Sequence, residues 1–141
     1  MKKIFCTFII VLSIFFDTGC NNTVDNSRKV INNMKVEINN KEYIINLEDN
    51  KTTKEFIELL PLELNMDELN GNEKFAYLDT NLPTNSYSPK YINAGDVMLF
   101  GNNCLVIFYK SFDTTYSYTK IGHIDNLSDL GKNNVKVIFK K

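Results

Sequence analysis

Cys104 and His123 are the side chains in this 141-residue chain best suited to covalent chemistry, the first opening an apolar run and the second being the only histidine. A Cys–His pair makes a thiolate nucleophile when the imidazole takes the thiol proton. Cys104, however, leads the run Leu105-Val106-Ile107-Phe108-Tyr109, where a cysteine packs as a small hydrophobe. His123 lies between Gly122 and Ile124 and faces outward if Ile121 and Ile124 face in. The expectation is therefore no catalytic pair. His123 and Asp125 fit one strand face, but no second histidine and no paired cysteine accompany them, so neither a metal centre nor a cofactor is expected. Asp67, Glu68 and Glu73 gather around Asn70-Gly71 and read as solvated turn carboxylates. The chain has no glycine-rich phosphate loop.

Recognition is better represented than catalysis. Phe112, Tyr116 and Tyr118 are interleaved with Thr114, Thr115, Ser117 and Thr119. Tyrosine offers rigid apolar area with a hydroxyl handle, which suits a groove for a peptide or small ligand. The same rings serve equally to plug a barrel mouth and bond to backbone groups. The candidate groove residues are Tyr109, Tyr116, Tyr118 and Thr119, with Glu73 and Asp96 as rim charges. A structural role is also open to both acids: Asp96 as a turn cap, and Glu73 paired with Lys74 or a neighbour.

The composition bounds the setting. With 16 basic and 17 acidic residues the net charge is −1, and the lysines are scattered, which excludes a basic face for nucleic acid. Apolar residues make up 43%, too many for a disordered chain. Three cysteines make no disulfide framework. The length corresponds to one domain.

The elements that would position these residues are short and mostly extended. Met34–Ile38 alternates, Asn39-Asn40 supplies a two-residue turn, and Lys41–Leu47 completes a hairpin. Thr52 with Glu55 fits a capping box; Phe56, Leu59 and Leu60 form one helical stripe, closed by Pro61. Leu62, Leu64 and Met66 then alternate as a strand, Asn70-Gly71 turns the chain, and Glu73–Leu78 returns. A long loop, Asp79 to Gly95, precedes the hairpin Val97–Phe100 and Cys104–Tyr109, whose second strand is apolar on both faces and hence central. Ile121–Ile124 is a short strand, Asn126–Leu130 a candidate helical turn, and Val135–Phe139 a last strand. About eight strands with one helix indicate a barrel or a sandwich.

The first twenty residues read as an address. Met1-Lys2-Lys3 precedes a largely apolar run, Ile4 to Phe16, which is long enough for a secretory signal and shorter than the roughly 20 residues of a membrane-spanning helix. Gly19-Cys20 at its end resembles the lipobox of bacterial lipoproteins, although Asp17 stands where that family prefers leucine. The resemblance implies cleavage after residue 19, a diacylglycerol on Cys20 and acylation of the new amino terminus. The expected partner is thus a membrane, reached through lipid, and the expected location is the bacterial cell envelope outside the cytoplasm. Residues 20–33 are rich in asparagine and read as a flexible tether, with the domain proper over 34–141.

From Met34 to Phe139 the order of motifs resembles the bacterial cyclophilin-like domain family. The matching pieces are Phe56-Ile57-Glu58-Leu59-Leu60-Pro61-Leu62 with Met66, and Asn70-Gly71-Asn72-Glu73-Lys74. Leu82-Pro83, Gly95-Asp96-Val97-Met98-Leu99, Leu105–Tyr109 and Tyr116-Ser117-Tyr118-Thr119-Lys120-Ile121-Gly122 follow in order. The resemblance implies a mainly β fold, a closed eight-stranded barrel with one short helix over a mouth. It does not imply proline isomerisation. Enzymatic cyclophilins carry an arginine that polarises the proline amide, in a Phe-x-x-Gln-Gly-Gly-Asp setting with Trp and His in the groove. Here the only arginine is Arg28, and Trp and Gln are absent. Lysine does not reproduce the planar guanidinium fork. The expectation is a non-catalytic peptide or small-ligand binding module; the alternatives are isomerase-like activity on exported proteins or a structural envelope protein.

Overall fold

A computed structural model of the chain describes residues 32–141. The expected signal at 1–19, the lipid-bearing Cys20 and the tether as far as residue 31 lie outside the described residues. Ten strands and one helix follow in the order β1 (Asn33–Ile38), β2 (Lys41–Leu47), α1 (Lys51–Glu58), β3 (Leu62–Leu69), β4 (Glu73–Tyr77), β5 (Tyr91–Ile92), β6 (Asp96–Phe100), β7 (Cys104–Phe108), β8 (Phe112–Asp113), β9 (Thr119–Ile124) and β10 (Val135–Phe139). Eight of them close into an antiparallel barrel in the order β1-β10-β3-β4-β7-β6-β9-β2, and β5 pairs with β8 in a separate ribbon. The strand alternation in the sequence is the inside–outside alternation of this barrel. Val36, Ile45, Met66, Leu105, Ile107, Val137 and Phe139 are fully buried in its interior.

Local chemistry fixes the corners. Asn39 and Asn40 take φ of 47° and 65°, the left-handed pair that matches a hairpin turn to the twist of its strands. Asn70 and Gly71 do the same between β3 and β4. In β9 the pairing passes from Val97–Gly122 to Met98–Lys120, so Ile121 is the extra residue of a bulge. That bulge lets Ile121 and Ile124 both reach the interior. β1 starts at Asn33, and Asn32 O accepts from Leu47 N at 2.8 Å, so the ordered pairing takes in the last residues assigned to the tether.

Helix α1 covers one mouth. Its cap is Asn50 rather than Thr52: Asn50 Oδ1 accepts from Thr53 N at 2.8 Å, and its Nδ2 donates to Lys120 O at 2.7 Å. The Thr52–Glu55 capping box does not form, because both threonines of the first turn are buried against the barrel rim. Thr52 Oγ1 donates to Pro83 O at 2.6 Å and Thr53 Oγ1 to Ile121 O at 3.2 Å. Phe56 drops into the core edge-on to Phe139, ring centroids 5.2 Å apart.

The opposite mouth is closed by charge. Lys74 is fully buried, and its Nζ pairs with Glu68 and donates to Gly131 O at 2.6 Å and Asn133 O at 2.7 Å, 4.9 Å from the centre of the Tyr109 ring. Lys74 holds the 125–134 segment across the opening. This is why Asn126–Leu130 makes no helical turn: its neighbouring carbonyls face the ammonium, and Asn126 sits at φ 57° in a tight turn. Nor does Glu73 pair with Lys74. Adjacent residues of a strand point to opposite faces, and Lys74 points inward while Glu73 points out.

A second apolar layer lies outside the barrel. Met98, Cys104, Val106 and Phe108 on the outer faces of β6 and β7 are buried with Ile92 and Tyr118. Cys104 therefore packs as a small hydrophobe, but under this outer layer. The 79–95 loop is tied down along its length: Leu82 N donates to Asn102 O at 2.7 Å, Asn85 N to Thr119 Oγ1 at 3.0 Å, and Tyr87 and Tyr118 exchange two backbone hydrogen bonds at 2.9 Å.

Candidate functional site

An open cleft of about 480 Å³ sits on the outer face of β4 and β7, within the 300–1,000 Å³ range of ligand sites. The period-two alternation of β4 points Glu73, Phe75 and Tyr77 into it. Cys104 and Val106 form the floor, with Phe100 from the end of β6. The segment following β7 supplies the far wall: Phe112, Asp113, Thr114, Thr115, Tyr116 and Tyr118. Aromatic rings stack along these walls. Phe100 lies edge-on to Tyr116 at 6.0 Å and tilted against Tyr118 at 5.7 Å, while Phe75 meets Tyr77 at 6.1 Å. Four large hydrophobic residues exposed on the surface converge here: Leu69, Tyr77, Phe100 and Tyr116, at 41%, 66%, 45% and 63% exposure. A concentration of exposed apolar area of this kind marks an interaction site more often than single exposed residues do.

Glu73 is the distinctive polar group. Burial, reinforced by the charge of Glu68, pushes its carboxyl up to about 7. Burial and the charge of Glu73 also raise the Cys104 thiol, which leaves it a poor nucleophile. Tyr118 is raised in the same way, burial first.

A sequence model of the cyclophilin-like family matches residues 36–140. The chain belongs to the cyclophilin-like family. No curated protein and no solved structure matches it.

Of the six groove candidates, this cyclophilin-like domain brings Glu73, Tyr116 and Tyr118 together and places the other three elsewhere. Tyr109 continues the inward register of Leu105 and Ile107, so it lies inside the charged mouth. Its hydroxyl donates to Glu68, 2.9 Å from Oε2, and burial followed by the Glu68 charge pushes its pKa up to about 12. Glu68 itself is raised by burial but lowered more strongly by hydrogen bonds from Lys74, Tyr109 and Gly71 N, and it ends below the ordinary carboxylate range. Thr119 is buried under the 79–95 loop, its hydroxyl accepting from Asn85 N.

Asp96 caps its turn. Its Oδ2 accepts from Asn93 N at 3.0 Å, and its Oδ1 lies 2.9 Å from His123 Nδ1 on the outer face of the barrel. Among the described residues the Asp96–His123 pair has no cysteine or serine hydroxyl bonded to it, and no cluster of three or more potential ligands could hold a metal. The aromatic cleft residues not singled out from sequence are Phe75, Tyr77 and Phe100. The first two were within reach of the alternation that places Glu73 outward; Phe100 reaches the cleft through its pairing with Cys104 across the β6–β7 hairpin.

Proposed function

We propose that the domain is a non-catalytic binding module for an extended peptide, displayed outside the cytoplasm on a lipid anchor at Cys20. The cleft carries this reading: an open aromatic trough of about 480 Å³ with four exposed large hydrophobics on its walls. No residue of the matched region is arginine, so the donor that twists a proline amide in enzymatic cyclophilins has no counterpart in this domain. The anchor rests on the sequence: the charged start, the apolar run Ile4–Phe16 and Gly19-Cys20. Two or three acyl chains, at about 0.8 kcal/mol per buried methylene, suffice to hold such a domain on a bilayer. Among the described residues no helix is long and apolar enough to span one.

The binding claim is tested with the full chain and proline-containing peptides. Binding that Tyr116→Ala weakens, with no acceleration of cis–trans exchange, is the expected result. Rate enhancement abolished by a cleft substitution would instead establish the isomerase. Radiolabelled fatty acid should enter the wild-type chain but not Cys20→Ala, and equal labelling of the two removes the anchor.

A further inference from the structure

The walls of the cleft are charged with one sign. Among its fifteen lining residues are Glu73 and Asp113 but no lysine, arginine or histidine, in a chain whose acids and bases nearly balance. Among the described residues Glu73 draws no hydrogen bond and no cation; burial and the neighbouring Glu68 charge act on it. Asn72 also lines the cleft and carries a buried Oδ1 without a donor. A carboxylate without a donor, set among Phe75, Tyr77, Phe100 and Tyr116, forms a site that lacks a cation. Ring faces attract an ammonium or guanidinium, and a carboxylate at their base adds a charge-assisted hydrogen bond.

We propose that the cleft selects its peptide by a basic side chain, lysine or arginine, whose cationic head meets Glu73 between the aromatic walls. The proposal rests on the cleft being the peptide site. Its apolar stem would lie against Phe75 and Val106, as long basic side chains do on hydrophobic surfaces.

The titration of Glu73 supports the assignment. With its carboxyl at about 7, a cation binds the ionised form and expels a proton near neutrality. The groups around Glu73 are Glu68 from β3, itself paired with the buried Lys74, Tyr77 from β4, Cys104 from β7, and Asp113, Tyr116 and Tyr118 from the far wall; no cation lines the cleft. The preference for a basic peptide therefore grows as pH rises toward 7 and levels off above it.

The test uses the full chain in nonionic detergent and two pools of capped pentapeptides, one with lysine at the centre and one with norleucine, flanked by randomised residues. Butylammonium serves as a free amine. The lysine pool should bind roughly tenfold or more tightly, the scale of one charge-assisted contact. Glu73→Gln should abolish that preference, so that the two pools bind this variant equally, and Tyr116→Ala should weaken both pools. Equal binding of the two pools, or a preference that survives Glu73→Gln, overturns the cation assignment and leaves the peptide cleft standing. Binding of butylammonium with neither pool bound overturns the peptide reading instead.

Discussion

Replacing Lys74 by methionine isolates what the charged plug contributes. The substitution keeps an unbranched side chain of similar length and removes only the ammonium. Two carbonyls, Gly131 O and Asn133 O, lose a charged donor at 2.6 and 2.7 Å. Hydrogen bonds to charged groups contribute about 1.5–3 kcal/mol each. Glu68 loses its ion pair, but its side chain is 16% exposed and keeps the Tyr109 hydroxyl and Gly71 N, so that loss is discounted to about 1 kcal/mol. Dehydration of the buried ammonium, which the wild type bears at full burial, is relieved in the variant and offsets part of the cost. The net is about 3–5 kcal/mol, the scale for removing one partner of a buried pair. That is a large share of the roughly 5–15 kcal/mol that stabilises a domain.

Urea titration followed by circular dichroism measures it. With a slope of about 1.5 kcal/mol per molar, the midpoint should fall by about 2–3 M. Glu68→Leu should also destabilise, and the double variant should lose less than the sum of the singles, because each single leaves the other partner stranded. A Lys74→Met cost below about 1 kcal/mol, or additivity within about 0.5 kcal/mol, refutes the plug as a coupled unit.

Asn50→Ala removes both the cap acceptor for Thr53 N and the donor to Lys120 O, and should lower stability by about 1–2 kcal/mol in the same titration; an unchanged midpoint would show that the cap is dispensable. Gly95 sits at φ 101°, and a Cβ there would lie 2.2 Å from Ile124 O, so Gly95→Ala should cost more than about 2 kcal/mol and loosen amide-exchange protection where β6 meets β9. Glu73 titrates higher when folded than when unfolded, where it keeps the ordinary value of 4.5. The wild type should therefore lose stability as pH rises from about 4.5 to about 7 and then level off. Glu73→Gln should flatten that slope, and melting curves over this pH range read it directly.

The barrel was legible because its strands carry their own period. Val135, Val137 and Phe139, and Leu62, Leu64 and Met66, alternate without interruption, and the asparagine turns tell where they reverse. The interactions that close the mouths were not legible. Lys74 finds Glu68 only because β3 and β4 pair in the register Glu68–Lys74, a relation between strands that no local pattern encodes. The helix cap was misread for the same kind of reason: Thr52 has the right chemistry for a cap, but tertiary contact with Pro83 claims its hydroxyl. In the cleft, Tyr116 and Tyr118 were reachable as amphipathic rings beside one another. Tyr109, chosen on the same grounds, was separated from them by strand parity, and Asp96 and Thr119 by backbone partners that only the folded loop brings near.

Closure of the sheet constrains how any partner can be held. Each of the eight barrel strands has a neighbour on both sides, so the barrel has no free edge strand. The barrel therefore offers no open edge for edge-to-edge aggregation. It also denies an incoming chain the strand-addition route by which many peptide-binding domains gain affinity. The short β5–β8 ribbon, by contrast, has a vacant side on each strand, and β8, Phe112–Asp113, is itself part of the cleft wall. Main-chain pairing of a peptide with that wall would extend over the two residues of β8, and side chains would supply the rest of the recognition.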